Sequence, residues 1–331
     1  MGSYAPTPTY LYDQSVHTIQ ILEETRLSGK PTLDIIAEGA AFLHRDGIIV
    51  LENAIATTHI DILNAKLSKE ALEIAQKPDW HFNFGKETLN MDQAPPPTKD
   101  LMFKDVWCNP FAAAILNATL GPKPVVHYAN GNTALGPATG RQPVHSDCEF
   151  AHPISFPFAH VINIPLVDVS VENGSTEIWP GSHVVSIPDS HVDTPGEHML
   201  GIQKDFLSQR AEHSPPIQPN IKKGSLVIRD LRLWHAGMPN KTSTPRVMLA
   251  FVAQPAWYQA KSKIQLPLNV QTMVEEWERD EGLCFDAEWI DGEVDHKTLS
   301  SAGVDFDTHS NALLKYKKEL SEVPAWMPRF Y

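Results

Sequence analysis

The stretch RQPVHSDCEF, residues 141 to 150, sets His145 two positions before Asp147. On an extended chain residues i and i+2 share a face, so one imidazole nitrogen and one carboxylate oxygen can meet a single metal ion. The same His-x-Asp spacing recurs as HRD at His44 and Asp46 and as HVD at His191 and Asp193, so context must choose among the three. His44 falls in the last turn of an expected helix, where a partly cationic ring suits the helix dipole. His191 lies in a polar segment bounded by prolines. Only His145 is followed, on later β-rich runs, by partners: His235 ends GSLVIRDLRLWHAG, and Arg246 opens TPRVMLAFV. Two histidines and a carboxylate fill one face of a six-coordinate ion and leave three positions open, which suits non-haem Fe(II) and O2. Arg246 offers a planar fork to a carboxylate, so a dicarboxylate can chelate iron at one end and be anchored at the other.

The elements that would position these groups are legible in outline. TLDIIAEGAAFLHRDG repeats apolar residues at helical period and stops at Asp46-Gly47, a turn signal. A second helix is expected through THIDILNAKLSKEALEIAQ, capped by Thr57 or Thr58. A third runs through NPFAAAILNATLG, with Pro110 in its first turn and Gly121 at its end. From residue 124 the texture changes to short β-rich runs punctuated by Gly, Pro and Asn, the pattern of a sandwich or barrel.

Composition narrows the function. The chain has 331 residues, 42% hydrophobic and 20% charged, close to the soluble globular average. No apolar run approaches a membrane span. The stretch MGSYAPTPTYLYDQ lacks the flank and core of a secretory signal, and PRFY is not a peroxisomal address, so the cytoplasm is the expected compartment. Cys108, Cys148 and Cys284 make no Cys-x-x-Cys pair and are expected to be reduced thiols. With 27 basic against 40 acidic residues, a net charge of −13 disfavours nucleic acid as partner.

The motifs QPVHSD, ENGSTEIWPGSH, LWHAG and TPR cover about residues 124 to 256. In order and spacing they resemble the phytanoyl-CoA dioxygenase family of Fe(II)- and 2-oxoglutarate-dependent oxygenases, in particular its fungal secondary-metabolism branch. The resemblance implies a mainly β fold with flanking helices around a double-stranded β-helix, the jelly-roll or cupin-like core. Residues 1–331 are then one domain. Within it, 1–123 is mainly helical, 124–256 forms the core with an inserted loop at about 186–223, and 257–331 is a tail packed on the core. Carried over residue by residue, the resemblance makes His145, Asp147 and His235 the metal ligands and catalytic residues, and Arg246 the clamp on the distal carboxylate of 2-oxoglutarate. Gln142 and Thr176 match further cosubstrate positions. WPGSH matches a structural turn in which Gly181 permits tight backbone and Ser182 or His183 bonds the loop, so His183 is not a ligand. Halogenating relatives lack the carboxylate that Asp147 supplies here, so oxygenation or dehydrogenation is the expected outcome.

The reaction implied consumes O2 and 2-oxoglutarate, releases succinate and CO2, and oxidises a C–H bond by hydroxylation, desaturation, cyclisation or endoperoxide formation. The aromatic clusters WHFNFG and DLMFKDVW fit either core packing or a substrate wall. On the second reading Phe82, Phe84, Met102, Trp107, Phe150 and Trp234 line a pocket for a small natural product. The terpenoid, alkaloid and peptide-derived classes are favoured there, because an acidic chain has little to offer the phosphates of an acyl-CoA. Neither nucleic acid nor membrane is an expected partner, and a homodimer is left open. Two alternatives stand beside this reading: a non-oxygenase cupin-like protein holding zinc with the same ligands, and a same-fold oxygenase acting on an acyl-CoA or a protein.

Overall fold

The structure is a computed structural model that describes residues 15–78, 80–148, 157–193, 201–258, 260–301, 304 and 306. Its helices are α1 (Glu23–Ser28), α2 (Leu33–Asp46), α3 (Thr57–Ile74), α4 (Lys104–Trp107), α5 (Pro110–Leu120), α6 (Lys204–His213) and α7 (Gln271–Glu281). The first five precede residue 123. Thr32 Oγ1 accepts the Ile35 N–H to open α2, and Gly47 closes it in the left-handed region at φ 75°. Asn109 accepts from Phe111 and Ala112 N–H at the start of α5, with Pro110 in the first turn. In α3 neither threonine serves as the expected cap. The cap position is Ala56, and the Asp105 carboxylate takes both its N–H, at 2.9 Å, and the His59 ring, at 2.8 Å.

The strands are β1 (Thr18–Gln20), β2 (Ile48–Glu52), β3 (Asn90–Asp92), β4 (Val125–Ala134), β5 (His160–Pro165), β6 (Glu177–Ile178), β7 (His191–Val192), β8 (Gly201–Ile202), β9 (Leu226–Asp230), β10 (His235–Ala236), β11 (Met248–Gln254), β12 (Ile264–Pro267), β13 (Cys284–Phe285) and β14 (Ala287–Ile290). The major sheet runs β1-β2-β9-β5-β11-β4-β13, with β3 added against β4. Its central strands are buried on both faces, and alternation gives each face a different task. Ile162, Ile164, Leu226, Ile228, Leu249 and Phe251 point to the helices and form the largest core with Leu43, Leu63, Phe111 and Ile115. Asn163, Val227, Arg229 and Met248 point the other way and wall a cavity.

The opposing layer is far shorter. β10 pairs with β6, His145 bridges His235 on one side, Gly201 bridges His145, and Ile217 bridges Ile178 at the other edge. These contacts line up as a second sheet of the jelly roll, but the major sheet does not close into a barrel. Proline lacks the ladder N–H, and Pro143, Pro180, Pro215, Pro216 and Pro239 all flank these short runs. The segment expected as an inserted loop is partly structured, carrying β7, β8 and α6.

Candidate active site

The two histidines of the expected triad are cross-strand partners. His145 N–H donates to His235 carbonyl oxygen and His235 N–H to that of His145, each at 3.0 Å. Direct pairing brings their rings to a centroid separation of 4.4 Å. Asp147, two residues on, faces the same space, and one donor atom from each of the three lies within 4.8 Å of the others. Both imidazoles are oriented from behind. His145 Nδ1 lies 2.9 Å from the Pro143 carbonyl oxygen and His235 Nδ1 lies 2.9 Å from that of Leu233. A carbonyl oxygen only accepts, so each Nδ1 carries a proton and each Nε2 is the ring position turned inward, the arrangement of a metal-ligating histidine.

Asp147 divides its oxygens. Oδ1 faces His145 Nε2 at 3.6 Å and His235 Nε2 at 3.3 Å, while Oδ2 accepts a short hydrogen bond from the Arg229 guanidinium. Burial alone would raise the Asp147 carboxyl, but Arg229, His235 and His145 together hold it well below the usual carboxylate range. Burial, with the charge of Arg229 and the neighbouring His145, pushes His235 down to about 4 against the pull of Asp147. At neutral pH the site thus offers an anionic oxygen and, at His235, an unprotonated imidazole nitrogen. This donor set fits a divalent cation of intermediate hardness such as Fe(II).

Arg246 opens into the same cavity. It is fully buried at 1% exposure, and its NH2 donates to the Gly174 carbonyl oxygen at 3.2 Å. Nε and NH1 have no partner among the described residues, although buried guanidinium nitrogens are normally satisfied. Burial lowers its pKa from the ordinary arginine range to about 10, so it remains a cation at pH 7. An unmatched buried cation beside a tripod of metal donors is the chemical complement of a dicarboxylate. Gln142 lies on the same wall. Its backbone N–H donates to the Gly237 carbonyl oxygen at 2.9 Å, and its side-chain Oε1 accepts the Gly237 N–H at 2.8 Å. A Cβ at Gly237 would sit 2.5 Å from that oxygen and would displace the Gln142 amide. Thr176 also lines the cavity.

The aromatic residues expected to form the substrate wall are scattered. Phe84 lies on the cavity with its ring 4.5 Å from that of His145. Phe82 bridges Met91 and packs on a separate cluster with Ile74 and Leu135. Met102 and Trp107 belong to the core on the helical face of the major sheet, where the Trp107 ring meets Phe251. Trp234 precedes His235, so alternation turns it to the opposite face; there it packs with Val144 and Trp179 and donates to Ser186 Oγ. Phe150 lies outside the described residues. In their place the wall carries side-chain amides, Asn83, Asn90, Asn132 and Asn163, which sequence reasoning missed. It also missed Arg229, whose signal was a charged residue inside the apolar run LVIRDL.

The two other His-x-Asp triplets hold no such cluster among the described residues. His44 ends α2, and its carbonyl oxygen accepts from His183 Nε2 at 3.0 Å. His191 bonds the Ile187 carbonyl oxygen and the hydroxyls of Ser146 and Ser186. In the WPGSH turn Gly181 takes φ 72°, and Ser182 Oγ accepts the Trp234 N–H at 2.8 Å.

Two packed β-layers with a His-Asp-His cluster between them define a jelly-roll protein with a candidate mononuclear metal centre. Solved structures share the fold. EctD from S. alaskensis, crystallised with 2-oxoglutarate and 5-hydroxyectoine, is 19% identical, with a TM-score of 0.53 over 75% of this chain and 83% of that one. SnoN, a non-heme alpha ketoglutarate dependent epimerase from nogalamycin biosynthesis, is 19% identical, with a TM-score of 0.50 over 67% of this chain and 83% of its own. Dioxygenase andF of Emericella variicolor is 24% identical over 186 residues, which are 51% of this chain and 57% of that protein, so the chain spans little more than half the length of this curated relative. The profile of the phytanoyl-CoA dioxygenase (PhyH) family matches residues 43–248, and the chain belongs to that family.

Among the described residues, no helix is long and apolar enough to cross a membrane.

Proposed function

We propose that this protein is an Fe(II)- and 2-oxoglutarate-dependent dioxygenase that oxidises a C–H bond of a small natural product and releases succinate and CO2. The observation that carries the reading is the convergence, in one cavity, of His145, Asp147 and His235 with the buried and partly unpartnered guanidinium of Arg246. His145 Nε2, His235 Nε2 and Asp147 Oδ1 would hold the iron, whose contribution when bound is to couple O2 and 2-oxoglutarate to cleavage of a substrate C–H bond.

The remaining tasks fall to the chain itself. Arg229 keeps Asp147 ionised and turns one of its oxygens toward the histidines. Arg246 supplies the fork for the distal carboxylate of 2-oxoglutarate, and Gln142, braced by Gly237, stands beside it. The sheet walls keep the reacting groups in place and limit water. A zinc-holding cupin-like protein would have no use for the unmatched Arg246. A free metabolite is favoured over an acyl-CoA because the cations on the cavity wall, among the described residues, are Arg229 and Arg246, and both are engaged in these tasks. The natural-product reading also draws support from EctD, which holds 5-hydroxyectoine, and from SnoN, which comes from nogalamycin biosynthesis.

Purified protein supplied with Fe(II), ascorbate, O2 and 2-oxoglutarate should form succinate. Alanine at His145, Asp147 or His235 should abolish this while leaving the protein folded. Succinate formation unchanged in His145→Ala would reject the proposal.

A further inference from the structure

The amides on the cavity wall are oriented from behind: Asn83 turns its NH2 to the protein, whereas Asn132, Asn163 and Gln142 turn their oxygens to it. Asp92 Oδ2 accepts the Ser301 N–H at 2.8 Å, the Ser301 hydroxyl at 2.5 Å and the Ser300 hydroxyl at 3.3 Å. Its Oδ1 takes a hydrogen from Asn83 Nδ2 at 3.2 Å. A carboxylate only accepts, so Asn83 must turn its NH2 group toward Asp92. The same NH2 donates to Asn132 Oδ1 at 3.0 Å and reaches Asn90 Oδ1 at 3.4 Å. Asn132 is thereby fixed with its carbonyl toward the protein and its own NH2 left over. Independent donors impose the same sense elsewhere: Arg229 Nε holds Asn163 Oδ1 at 3.1 Å, and the Gly237 N–H holds Gln142 Oε1. Among the described residues nothing accepts from the NH2 groups of Asn132, Asn163 and Gln142, and all three residues line the cavity. Phe84, next to Asn83 in the chain, lies against His145, so the Asn83–Asn132 wall adjoins the triad.

We infer that Asn132, with Asn90 beside it, is a specificity-determining donor that receives an oxygen acceptor of the organic substrate, namely a carbonyl, ester or ether oxygen. The inference rests on the dioxygenase reading, which assigns Arg246 and Gln142 to 2-oxoglutarate and leaves the Asn132 donor for the substrate. A substrate presenting an N–H or O–H hydrogen at that point would face a hydrogen and leave both groups unpaired. At the Asn132 position the wall therefore selects for an oxygen acceptor rather than for bare hydrocarbon or a donor group.

The test uses protein loaded with Zn(II) and 2-oxoglutarate, with loading verified by calorimetry. Cyclopentanone, a neutral acceptor, and pyrrole, a neutral ring of similar size that donates through N–H, are titrated by saturation-transfer NMR. Cyclopentanone should bind about tenfold more tightly, the worth of one neutral hydrogen bond. Asn132→Asp keeps an oxygen for Asn83 and replaces the donor by an acceptor, so it should reverse the order. Asn132→Leu should abolish the preference. Pyrrole binding wild-type protein as tightly as cyclopentanone, or an unchanged order in both variants, would overturn the inference and leave the dioxygenase reading standing. Failure of the wild-type protein to bind 2-oxoglutarate would overturn that reading itself.

Discussion

Arg246→Met should make the protein more stable and useless at once. The guanidinium is 1% exposed, two of its nitrogens have no partner among the described residues, and burial lowers its pKa from the ordinary arginine range to about 10. A depression of that size means the folded state bears about 3 kcal/mol for keeping the group charged, at 1.36 kcal/mol per unit. The sign is fixed: a cation with a lowered folded pKa destabilises at every pH below about 10, so the penalty is fully present at neutrality. Methionine is apolar and of similar length, so the substitution should relieve most of it and raise the melting temperature of protein without cosubstrate by roughly 5 °C, at about 2 °C per kcal/mol for a chain this large. The cosubstrate effect runs the other way. Wild-type protein with Fe(II) and 2-oxoglutarate at about 100 times its dissociation constant should gain about 2.7 kcal/mol, visible as a further rise. In Arg246→Met that second rise should vanish, because the carboxylate loses a charge-assisted fork, on the order of 2–5 kcal/mol. Anaerobic differential scanning calorimetry with and without 2-oxoglutarate reads both effects. A variant less stable than wild type that still shifts with 2-oxoglutarate would show that Arg246 is a structural residue and that the clamp lies elsewhere.

Three further outcomes follow from the site and its surroundings. Arg229→Met removes a charge that holds Asp147 ionised against burial, so Co(II) affinity, followed by its visible spectrum, should fall more steeply between pH 7 and pH 5 than in wild type; parallel curves would contradict this. Gly237→Ala places a Cβ 2.5 Å from Gln142 Oε1 and should weaken 2-oxoglutarate about tenfold without changing metal affinity, as titration calorimetry of each would show. His160 is buried with both ring nitrogens unpartnered among the described residues, and burial pushes its pKa from 6.5 down to about 4. The unfolded chain takes up that proton first, so stability should fall by about 3 kcal/mol as pH drops from about 6.5 to about 4. His160→Leu should remove that portion of the acid slope in urea melts, and an unaltered slope would refute it.

The candidate ligand residues were legible because their chemistry is ordered along the chain. His145, Asp147, His235 and Arg246 stand at strand ends flanked by Pro and Gly, and cross-strand pairing of His145 with His235 converts that order into proximity. The end of α2 at Gly47 and the start of α5 at Asn109-Pro110 were legible for a local reason, since these residues act within a turn of where they sit. The lining of the cavity was not legible. Which side Trp107 or Phe82 faces depends on how α4, α5 and β3 dock on the sheet, and no periodicity within those short segments states it. Trp234 was the exception, because its position beside His235 already implied the opposite face. The amides were hidden differently. In LNMDQ and ANGNT asparagine reads as a turn former, and only tertiary structure joins Asn83, Asp92, Asn132 and Ser301 into one chain of hydrogen bonds. The second sheet escaped as a sheet because its pairs are two residues long.

Anaerobic titration of 2-oxoglutarate into the Fe(II)-loaded protein tests the central claim most directly, because chelation of iron by the keto acid produces a visible charge-transfer absorption that neither component has alone. The account predicts a saturable band that is absent with Zn(II), lost in Asp147→Ala and shifted to much higher 2-oxoglutarate concentration in Arg246→Met. No band in the wild-type protein, or the same band in Asp147→Ala, would contradict it.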